Sequence, residues 1–160
     1  MSRVAHVQVS PDQIKFSGTI AEAFEAAEDG VGFHGIFLDR GAVGFFKIDR
    51  AYSDRYPLVP FGALGLRAFM VDLDRQGQGI AARAVQALPA YLARHYPLAT
   101  AHYLTVNKIN PCAIRAYLKG GFIDTGEKWP LGNAGPQHVM RMSLNPPKRS
   151  SQHHPSSEAC

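Results

Sequence analysis

The sequence has little cysteine, no long apolar run and a long stretch without acidic residues. Its 160 residues include 2 cysteines, Cys112 and Cys160, which form no C-x-x-C pair. We therefore expect free thiols in a reducing cytoplasm, and neither a disulfide framework nor a structural zinc site. No apolar run approaches the roughly 18 residues of a membrane span, and the first residues show no signal-peptide pattern. The 46% hydrophobic content instead suits one globular domain with a sizeable core.

The missing acidic residues make one half of the chain basic. Between Asp74 and Asp124 there is no Asp or Glu. The whole chain has a net charge of +4, so a stretch that carries six basic residues leaves the remainder slightly acidic. Such segregation favours an anionic partner for this segment, although each residue alone is also explained as part of a solvated face. The basic residues of the stretch are Arg75, Arg83, Arg94, Lys108, Arg115 and Lys119.

The first half of the chain predicts short helices and a hairpin. Alternation over residues 4–9 predicts a short strand or extended arm, and Ser10-Pro11-Asp12 predicts a helix start. Helix formers over residues 19–27 predict a second helix that stops at Asp29-Gly30. Two β-rich runs joined by Asp39-Arg40-Gly41 predict a hairpin with glycine in the turn. Residues 50–65, with their prolines and glycines, predict a long, substrate-facing loop.

The second half predicts strand-helix-strand-helix and then two closing strands. The strands are expected at residues 66–73, 102–106, 122–123 and 139–144. Pro89 should kink the first helix or start its second part, and Asn110-Pro111 and Gly120-Gly121 should bound the next helix. This order predicts a mixed α/β sheet with at least one parallel crossover. We expect one domain over residues 1–144 and a disordered tail over residues 145–160.

A glycine-rich turn leads from the predicted strand at residues 66–73 directly into a helix. Gly77 and Gly79 allow the backbone to approach an anion closely. The free N–H groups of the first helical turn then favour a pyrophosphate. The turn is too short for a P-loop, and Ala82 stands where the dinucleotide pattern G-x-G-x-x-G needs its third glycine. A tight strand-to-helix turn without any ligand explains the glycines equally well.

A second pattern further along the chain favours the interpretation of this turn as a pyrophosphate-binding site. It comprises Asn110, Ala113, Tyr117 and Gly121-Phe122. Together with Gln76-x-x-Gly79-x-Ala81, it resembles the GNAT superfamily of acyl-CoA-dependent N-acetyltransferases. The resemblance extends over about residues 33–144, and residues 67–72 and 121–127 are similar to the bacterial polyamine-acetyltransferase-like branch. It implies a mixed, largely antiparallel central sheet with a parallel splayed strand pair, flanked by helices.

The resemblance also implies a role for each matching residue. Phe69, Met70 and Val71 would lie where the family strand bulges and pairs with pantetheine, and one of their N–H groups would polarise the thioester carbonyl. Asn110 would hydrogen-bond the CoA arm, and Tyr117 would be the general acid that protonates the leaving thiolate. A start of the turn at Gln76, rather than at Arg75, puts its residues in the family's positions. The backbone amides that would bind the acetyl-CoA pyrophosphate are those of Gln76, Gly77, Gln78, Gly79, Ile80 and Ala81.

The chemistry of acyl transfer fits these residues independently. The reaction needs a free-base amine, stabilisation of a tetrahedral oxyanion and a proton for the departing sulfur. Tyrosine suits the last task because its ordinary pKa, roughly 10, exceeds that of a thiol, roughly 8.5. The alternative for Tyr117 is a core aromatic residue on the same helix face as Ala113 and Ile114.

The sequence shows no general base. Where some polyamine acetyltransferases carry a carboxylate before the turn, this chain has Arg67, which suggests a water-relayed base or an acidic acceptor. Four other residues are candidates, each also explained as a turn, surface or structural residue: Asp49, Asp54, Glu127 and His34. Candidate walls of an acceptor pocket, equally explained by core packing, are Trp129, Tyr52, Tyr56 and Phe61. Candidate phosphate contacts, otherwise solvated, are Arg83, Lys108, Arg115 and Lys119.

These observations predict an N-acetyltransferase that moves an acetyl group from acetyl-CoA to a primary amine of a small molecule or peptide. Transfer is expected to be direct, within a ternary complex and without a metal, since the motif explains Cys112 as a variable helix residue rather than a nucleophile. The missing base motivates one alternative, a non-catalytic acyl-CoA-binding regulatory module. We expect neither a nucleic-acid nor a membrane partner, because a net charge of +4 is modest; a second copy, in a homodimer, is the other partner considered.

Overall fold

The computed structural model describes residues 3–25 and 28–144, and over these ranges the chain forms a six-stranded sheet with helices on both faces. The predicted tail at residues 145–160 lies outside the described residues. The helices are α1 (Pro11–Ser17), α2 (Ile20–Glu25), α3 (Tyr52–Arg55), α4 (Ile80–His95) and α5 (Pro111–Gly120), with a single 3-10 turn at Leu73–Arg75. The strands are β1 (Val31–Leu38), β2 (Gly41–Asp49), β3 (Leu64–Val71), β4 (Ala101–Asn107), β5 (Ile123–Trp129) and β6 (Gln137–Ser143).

The strands lie in the order β1-β2-β3-β4-β6-β5. All neighbouring pairs are antiparallel except β3 and β4, which run parallel. That pair is joined only at Leu64–His102 and Gly65–Tyr103, and the two strands then separate. The predicted fold class, a largely antiparallel mixed sheet with a splayed parallel pair, is confirmed.

Apolar side chains cover both faces of the sheet because alternate residues of the central strands point to opposite sides. On one face, Phe46 and Ile48 pack with Leu88 and Leu92 of α4 in the main core. On the other face, Phe45 joins a smaller cluster with residues of the N-terminal segment and α2. Strand β2 is therefore buried over almost its whole length.

Helix α5 shows how short sequence signals fix the elements that flank the site. The Asn110 side chain accepts a hydrogen bond from the Ala113 N–H (3.4 Å), and Gly121 ends the helix in a left-handed conformation with φ of 110°. At Gly120 a Cβ would overlap Cγ1 of Val85, so the absence of a side chain lets α5 pack directly on α4. The predicted helix start and end are both confirmed.

Several local predictions need correction. Residues 4–9 form no strand: a turn over residues 3–6 precedes irregular backbone, and Val4 and Val7 are buried by packing rather than by strand pairing. In the hairpin, the residue with positive φ is Asp39 (55°), whereas Gly41 is already the first residue of β2. Residues 50–65 are not a plain loop, because they contain α3.

Two further differences concern the second half. Pro89 does not start a separate helical part, because α4 continues from Ile80 to His95 with the proline inside it; the predicted kink stays a prediction. Strand β5 extends to Trp129, far beyond the predicted residues 122–123. Its polar residues show no alternation of apolar side chains that would predict a strand, but they are part of β5 because the strand pairs with β6. Among residues 3–25 and 28–144, no helix combines the length and the apolar character that crossing a bilayer requires.

Candidate active site

The site begins where β3 leaves β4. Beyond Gly65 and Tyr103, β3 stays paired with β2 but has no register partner in β4. Opposite the β2 segment from Phe45 to Lys47, β3 carries one extra residue, and Ala68 has a positive φ of 48°. This bulge turns the strand next to the predicted residues Phe69, Met70 and Val71. The gap that forms between β3 and β4 is here called the opening. Along it, the edge of β3 carries backbone N–H and C=O groups that form no ladder with β4.

The glycine-rich turn lies at the end of the same strand. Gly77 and Gly79 have φ values of 77° and 73°, a region in which a Cβ causes strain. Gly79 caps α4 at its N-terminus, and its carbonyl accepts a hydrogen bond from the Arg83 N–H (3.1 Å). The backbone N–H groups of the first helical turn before Arg83 have no hydrogen-bond partner within the helix. No acidic residue lies in that first turn to compete for them.

The turn and the opening enclose a cavity of about 390 Å³, here called the turn cavity. The predicted site residues that line it are Phe69, Met70, Val71, Gln76, Gly77, Gly79, Ile80, Ala81, Asn110 and Tyr117. Gln78 is the predicted residue that does not. The structure therefore brings together, around one space, residues that the sequence spreads over about a third of the chain.

The charge of the turn cavity suits an anion. Its described lining includes Arg75, Arg115 and Lys119 and no acidic residue. Of the four predicted phosphate contacts, Arg115 and Lys119 thus line the cavity, whereas Arg83 and Lys108 do not. Cys112 is exposed and also lines it, with Sγ 3.5 Å from the Arg115 guanidinium.

The Gln76 side chain has a structural task in this turn. Its Nε2 donates hydrogen bonds to the Val71 carbonyl (2.9 Å) and to Oε1 of Gln13 (3.0 Å). The Gln13 amide donates in return to Oε1 of Gln76 (3.1 Å). The turn is therefore attached to α1. The backbone N–H of Gln76 is engaged as well, since it donates to the Leu73 carbonyl (3.3 Å), so the predicted role of this amide in binding pyrophosphate would require that bond to break.

Tyr117 lies at the boundary of two cavities. It lines the turn cavity and also a second cavity. Its ring contacts Phe69 edge-on, with ring centres 5.9 Å apart, and Phe122 at 5.8 Å. Burial raises the pKa of its hydroxyl, so Tyr117 keeps its proton at neutral pH. Asn110 lies at the same boundary, where its side-chain oxygen caps α5.

The second cavity, here called the aromatic cavity, has a volume of about 430 Å³. Tyr52, Tyr56 and Trp129 line it, as predicted, and the rings of Tyr56 and Trp129 meet edge-on at 5.1 Å. The Tyr52 hydroxyl accepts a hydrogen bond from the Thr105 N–H (3.1 Å), which fixes one wall. Phe61 is not among the lining residues; its side chain is 96% exposed, so its predicted place in the wall is wrong.

The charged residues of the aromatic cavity are all basic: Lys15, Arg55 and Arg67. Arg67 donates to Glu28 and to Asp49, each at 3.0 Å, and Arg55 donates to Glu28 at 2.8 Å. The hydrogen bond from Arg67 holds the pKa of Glu28 below its usual value. Both carboxylates are thus engaged by guanidinium groups.

The candidate bases lie outside both cavity linings: Asp49, Asp54, Glu127 and His34. Asp49 is 4% exposed and paired with Arg67, while His34 lies between the hydroxyls of Tyr91 (2.7 Å) and Tyr96 (3.0 Å). Among the described residues, no group of three or more His, Cys, Asp or Glu is placed to hold a metal ion.

Sequence reasoning missed the contribution of α1. Phe16 and Ser17 line both cavities, Gln13 lines the turn cavity and Lys15 the aromatic cavity. The helix-start signal at Ser10 predicts the helix, but nothing in it indicates that α1 packs across β3. The reciprocal Gln13–Gln76 pair, which makes that connection, joins residues far apart in the sequence.

Comparison with known proteins agrees with this arrangement. A family model described as "Acetyltransferase (GNAT) family" matches residues 6–122, more than half of the chain. The chain is 32% identical, over 111 residues and 68% of each protein, to the uncharacterized N-acetyltransferase YbbJ of Bacillus subtilis (strain 168).

Solved structures share the fold. An aminoglycoside acetyltransferase AAC(6')-Ib in complex with coenzyme A superposes with a TM-score of 0.68 at 22% identity, covering 84% of this chain and 83% of that one. A chimera of spermidine N-acetyltransferase SpeG from Vibrio cholerae and hSSAT gives a TM-score of 0.59 at 16% identity, covering 79% and 78%.

Proposed function

The chain belongs to the acetyltransferase (GNAT) family, and we propose from this premise that it transfers an acetyl group from acetyl-CoA to a primary amine by direct attack within a ternary complex. The observation that carries the proposal is the contiguity of two cavities that meet at Phe69, Asn110 and Tyr117. One cavity has the features of an anion site and the other is a walled space for a second substrate. Direct transfer requires such a meeting point.

The residues of the turn cavity fit coenzyme A. The unpaired amides after Gly79 suit the diphosphate, because they present N–H donors and the positive end of the α4 dipole. Arg115 and Lys119 add positive charge for phosphate oxygens. The unpaired edge of β3 at Phe69 and Met70 suits the amide groups of the pantetheine arm, which would add to the sheet like another strand.

The bonds exchanged in the proposed reaction are few. The amine nitrogen attacks the thioester carbon, a C–N bond forms, and the C–S bond breaks. A backbone N–H in the segment from Phe69 to Val71 would stabilise the negative oxygen of the tetrahedral intermediate. Tyr117 would give its proton to the departing sulfur, and the proton released by the new amide nitrogen would restore the hydroxyl through solvent. The raised pKa of Tyr117 keeps that proton in place until the sulfur leaves.

No carboxylate or histidine is found among the described lining residues of either cavity. The amine must therefore enter as the free base or lose its proton to water before attack. The proposed rate should accordingly rise with pH until the amine of the acceptor is deprotonated. In a mechanism with Asp49 or His34 as the base, the pH dependence of the rate would instead report the ionisation of that residue and would not follow the pKa of the acceptor amine.

The experiment measures free CoA released from acetyl-CoA across a panel of primary amines, for the natural chain and for Tyr117→Phe. The variant should lower kcat by about 100-fold, in the range for loss of a general acid, and leave the acetyl-CoA affinity unchanged. Tyr91→Phe is the matched control, because it removes a hydroxyl that lies outside both cavities.

An unchanged kcat in Tyr117→Phe would remove that residue from the acid role. If no amine released CoA although acetyl-CoA bound, the chain would instead be the non-catalytic acyl-CoA-binding module. The membership of the family and the named N-acetyltransferase relative favour the enzyme.

A further inference from the structure

The aromatic cavity has the charge opposite to that needed for a polycation. Its described lining contains Lys15, Arg55 and Arg67 and no carboxylate. An acceptor with several ammonium groups would be repelled there, because charges of one sign in a cleft with low-dielectric walls reinforce one another. The cavity is thus mismatched to the amines for which the spermidine and aminoglycoside acetyltransferases of the same fold are named.

The nearest carboxylates do not correct this mismatch. Glu28 is bound by both Arg67 (3.0 Å) and Arg55 (2.8 Å), and the buried Asp49 is bound by Arg67 (3.0 Å). Asp49 also accepts a hydrogen bond from the Ala51 N–H at 2.8 Å. The guanidinium groups already balance the charge of both carboxylates through charge-assisted bonds, which are among the stronger polar contacts in proteins, so little negative charge is left to attract an incoming ammonium group.

Donors for an anion remain. Within the described ranges, the bond to Glu28 is the one hydrogen bond that the Arg55 side chain makes, so most of its five N–H groups are uncommitted. Lys15 forms no ion pair with a described residue; its ammonium group lies over the Phe16 ring at 5.0 Å. Arginine and lysine together are a usual environment for a carboxylate.

The remaining walls combine polar and aromatic side chains. The polar residues are Ser17, Thr105, Asn107, Asn110, Asn133 and Gln137. The rings of Tyr56 and Trp129 form an edge-on pair, and Tyr117 lies where the two cavities join. A molecule bound here would place an apolar group against these rings. Its amine would have to reach the junction at which the thioester is proposed to lie.

We propose that the acceptor is a primary amine that also carries a carboxylate and an apolar or aromatic body, as an aromatic amino acid does. Lys15 and Arg55 bind the carboxylate, and Tyr56 and Trp129 contact the apolar body. This inference rests on the proposed function and names the substrate class of the same site.

The test compares kcat/KM, from CoA release, for L-phenylalanine, L-phenylalaninamide and phenethylamine, with spermidine and kanamycin as polycations. Phenylalanine should exceed the other two matched amines by about tenfold or more, which is about 1.4 kcal/mol. The amide controls for amine basicity, since it deprotonates more readily than phenylalanine but has no carboxylate. A preference for the amide, for phenethylamine or for a polycation would overturn the inference and leave the acetyltransferase proposal standing.

Two variants assign the effect to the basic side chains. Lys15→Met and Arg55→Met should each reduce the ratio of kcat/KM between phenylalanine and its amide by about tenfold, mainly through KM, which is about 1.4 kcal/mol. Both side chains are exposed enough for the variants to fold. Lys128→Met and Arg94→Met, at exposed positions outside both cavities, are the matched controls and should keep the ratio.

An unchanged ratio in both test variants would overturn the assignment. A binding measurement keeps the inference testable without turnover: the complex with CoA should bind N-acetylphenylalanine at least about tenfold more tightly than N-acetylphenethylamine, again about 1.4 kcal/mol. Equal affinities would contradict it.

Discussion

Replacement of the buried His102 should change how the stability of the fold depends on pH. His102 is 0% exposed, neither ring nitrogen has a hydrogen-bond partner among the described residues, and its ring meets Phe122 edge-on at 4.6 Å. Burial lowers its pKa from 6.5 to about 4. As the pH falls, His102 therefore takes up a proton near pH 6.5 in the unfolded chain, but only near pH 4 in the folded chain.

The sign and the size of the effect follow from this difference. Between these pH values the unfolded state holds more protons, so the free energy of unfolding falls as the pH falls. A pKa difference of one is worth about 1.4 kcal/mol, which makes the loss attributable to His102 about 3 kcal/mol between pH 7 and pH 4. His34, whose pKa burial also lowers, adds a loss of the same sign.

The assay is urea unfolding of the natural chain and of His102→Leu at pH 7, 6, 5 and 4. The stability of the variant relative to the natural chain should rise by about 3 kcal/mol over this range, whatever the direct effect of the substitution at pH 7. A constant difference between the His102 variant and the natural chain would refute the account of an unpartnered, neutral histidine.

Three further predictions concern the glycine-rich turn, the packing of α5 on α4, and Cys112. Gly79→Ala should weaken CoA binding in calorimetry, because a residue with a Cβ in the left-handed conformation costs about 1–2 kcal/mol and the turn would have to change its shape. Gly62→Ala is the control, since Gly62 has a φ of 84° but lies outside both cavities; this variant should lower Tm and keep the affinity for CoA. Gly120→Ala should destabilise the chain by about 1–3 kcal/mol in urea unfolding, since its Cβ would meet Val85, and an added Val85→Ala should restore part of the loss; full stability of the single variant would contradict the packing. Cys112→Ala should keep CoA release, and complete loss with intact acetyl-CoA binding would indicate a covalent intermediate.

The features that could be predicted depend on short stretches of sequence. The bounds of α5 follow from Asn110-Pro111 and Gly121, and the glycine-rich turn from the spacing of Gly77 and Gly79, because caps and positive φ values are local properties. The separation of β3 from β4 was not local. It was expected only through the family resemblance, and the pairing confirms it.

The features that could not be predicted depend on contacts between distant residues. Phe61 and Tyr56 lie close together in one aromatic segment, yet Tyr56 lines the cavity while Phe61 is exposed, because the path of the chain around α3 decides which ring turns inward. The network of Arg67 with Glu28 and Asp49 joins three separate segments. Because that network engages both carboxylates, the charge that the aromatic cavity presents could not be inferred from the sequence alone.

Calorimetric titration of the purified chain with coenzyme A, and then with pantetheine, measures whether the glycine-rich turn binds the diphosphate. We expect saturable binding of one CoA per chain, at least about tenfold tighter than pantetheine, because the amides after Gly79 and the basic residues of the turn cavity would contact the diphosphate. No saturable heat, or equal affinity for the two ligands, would contradict it.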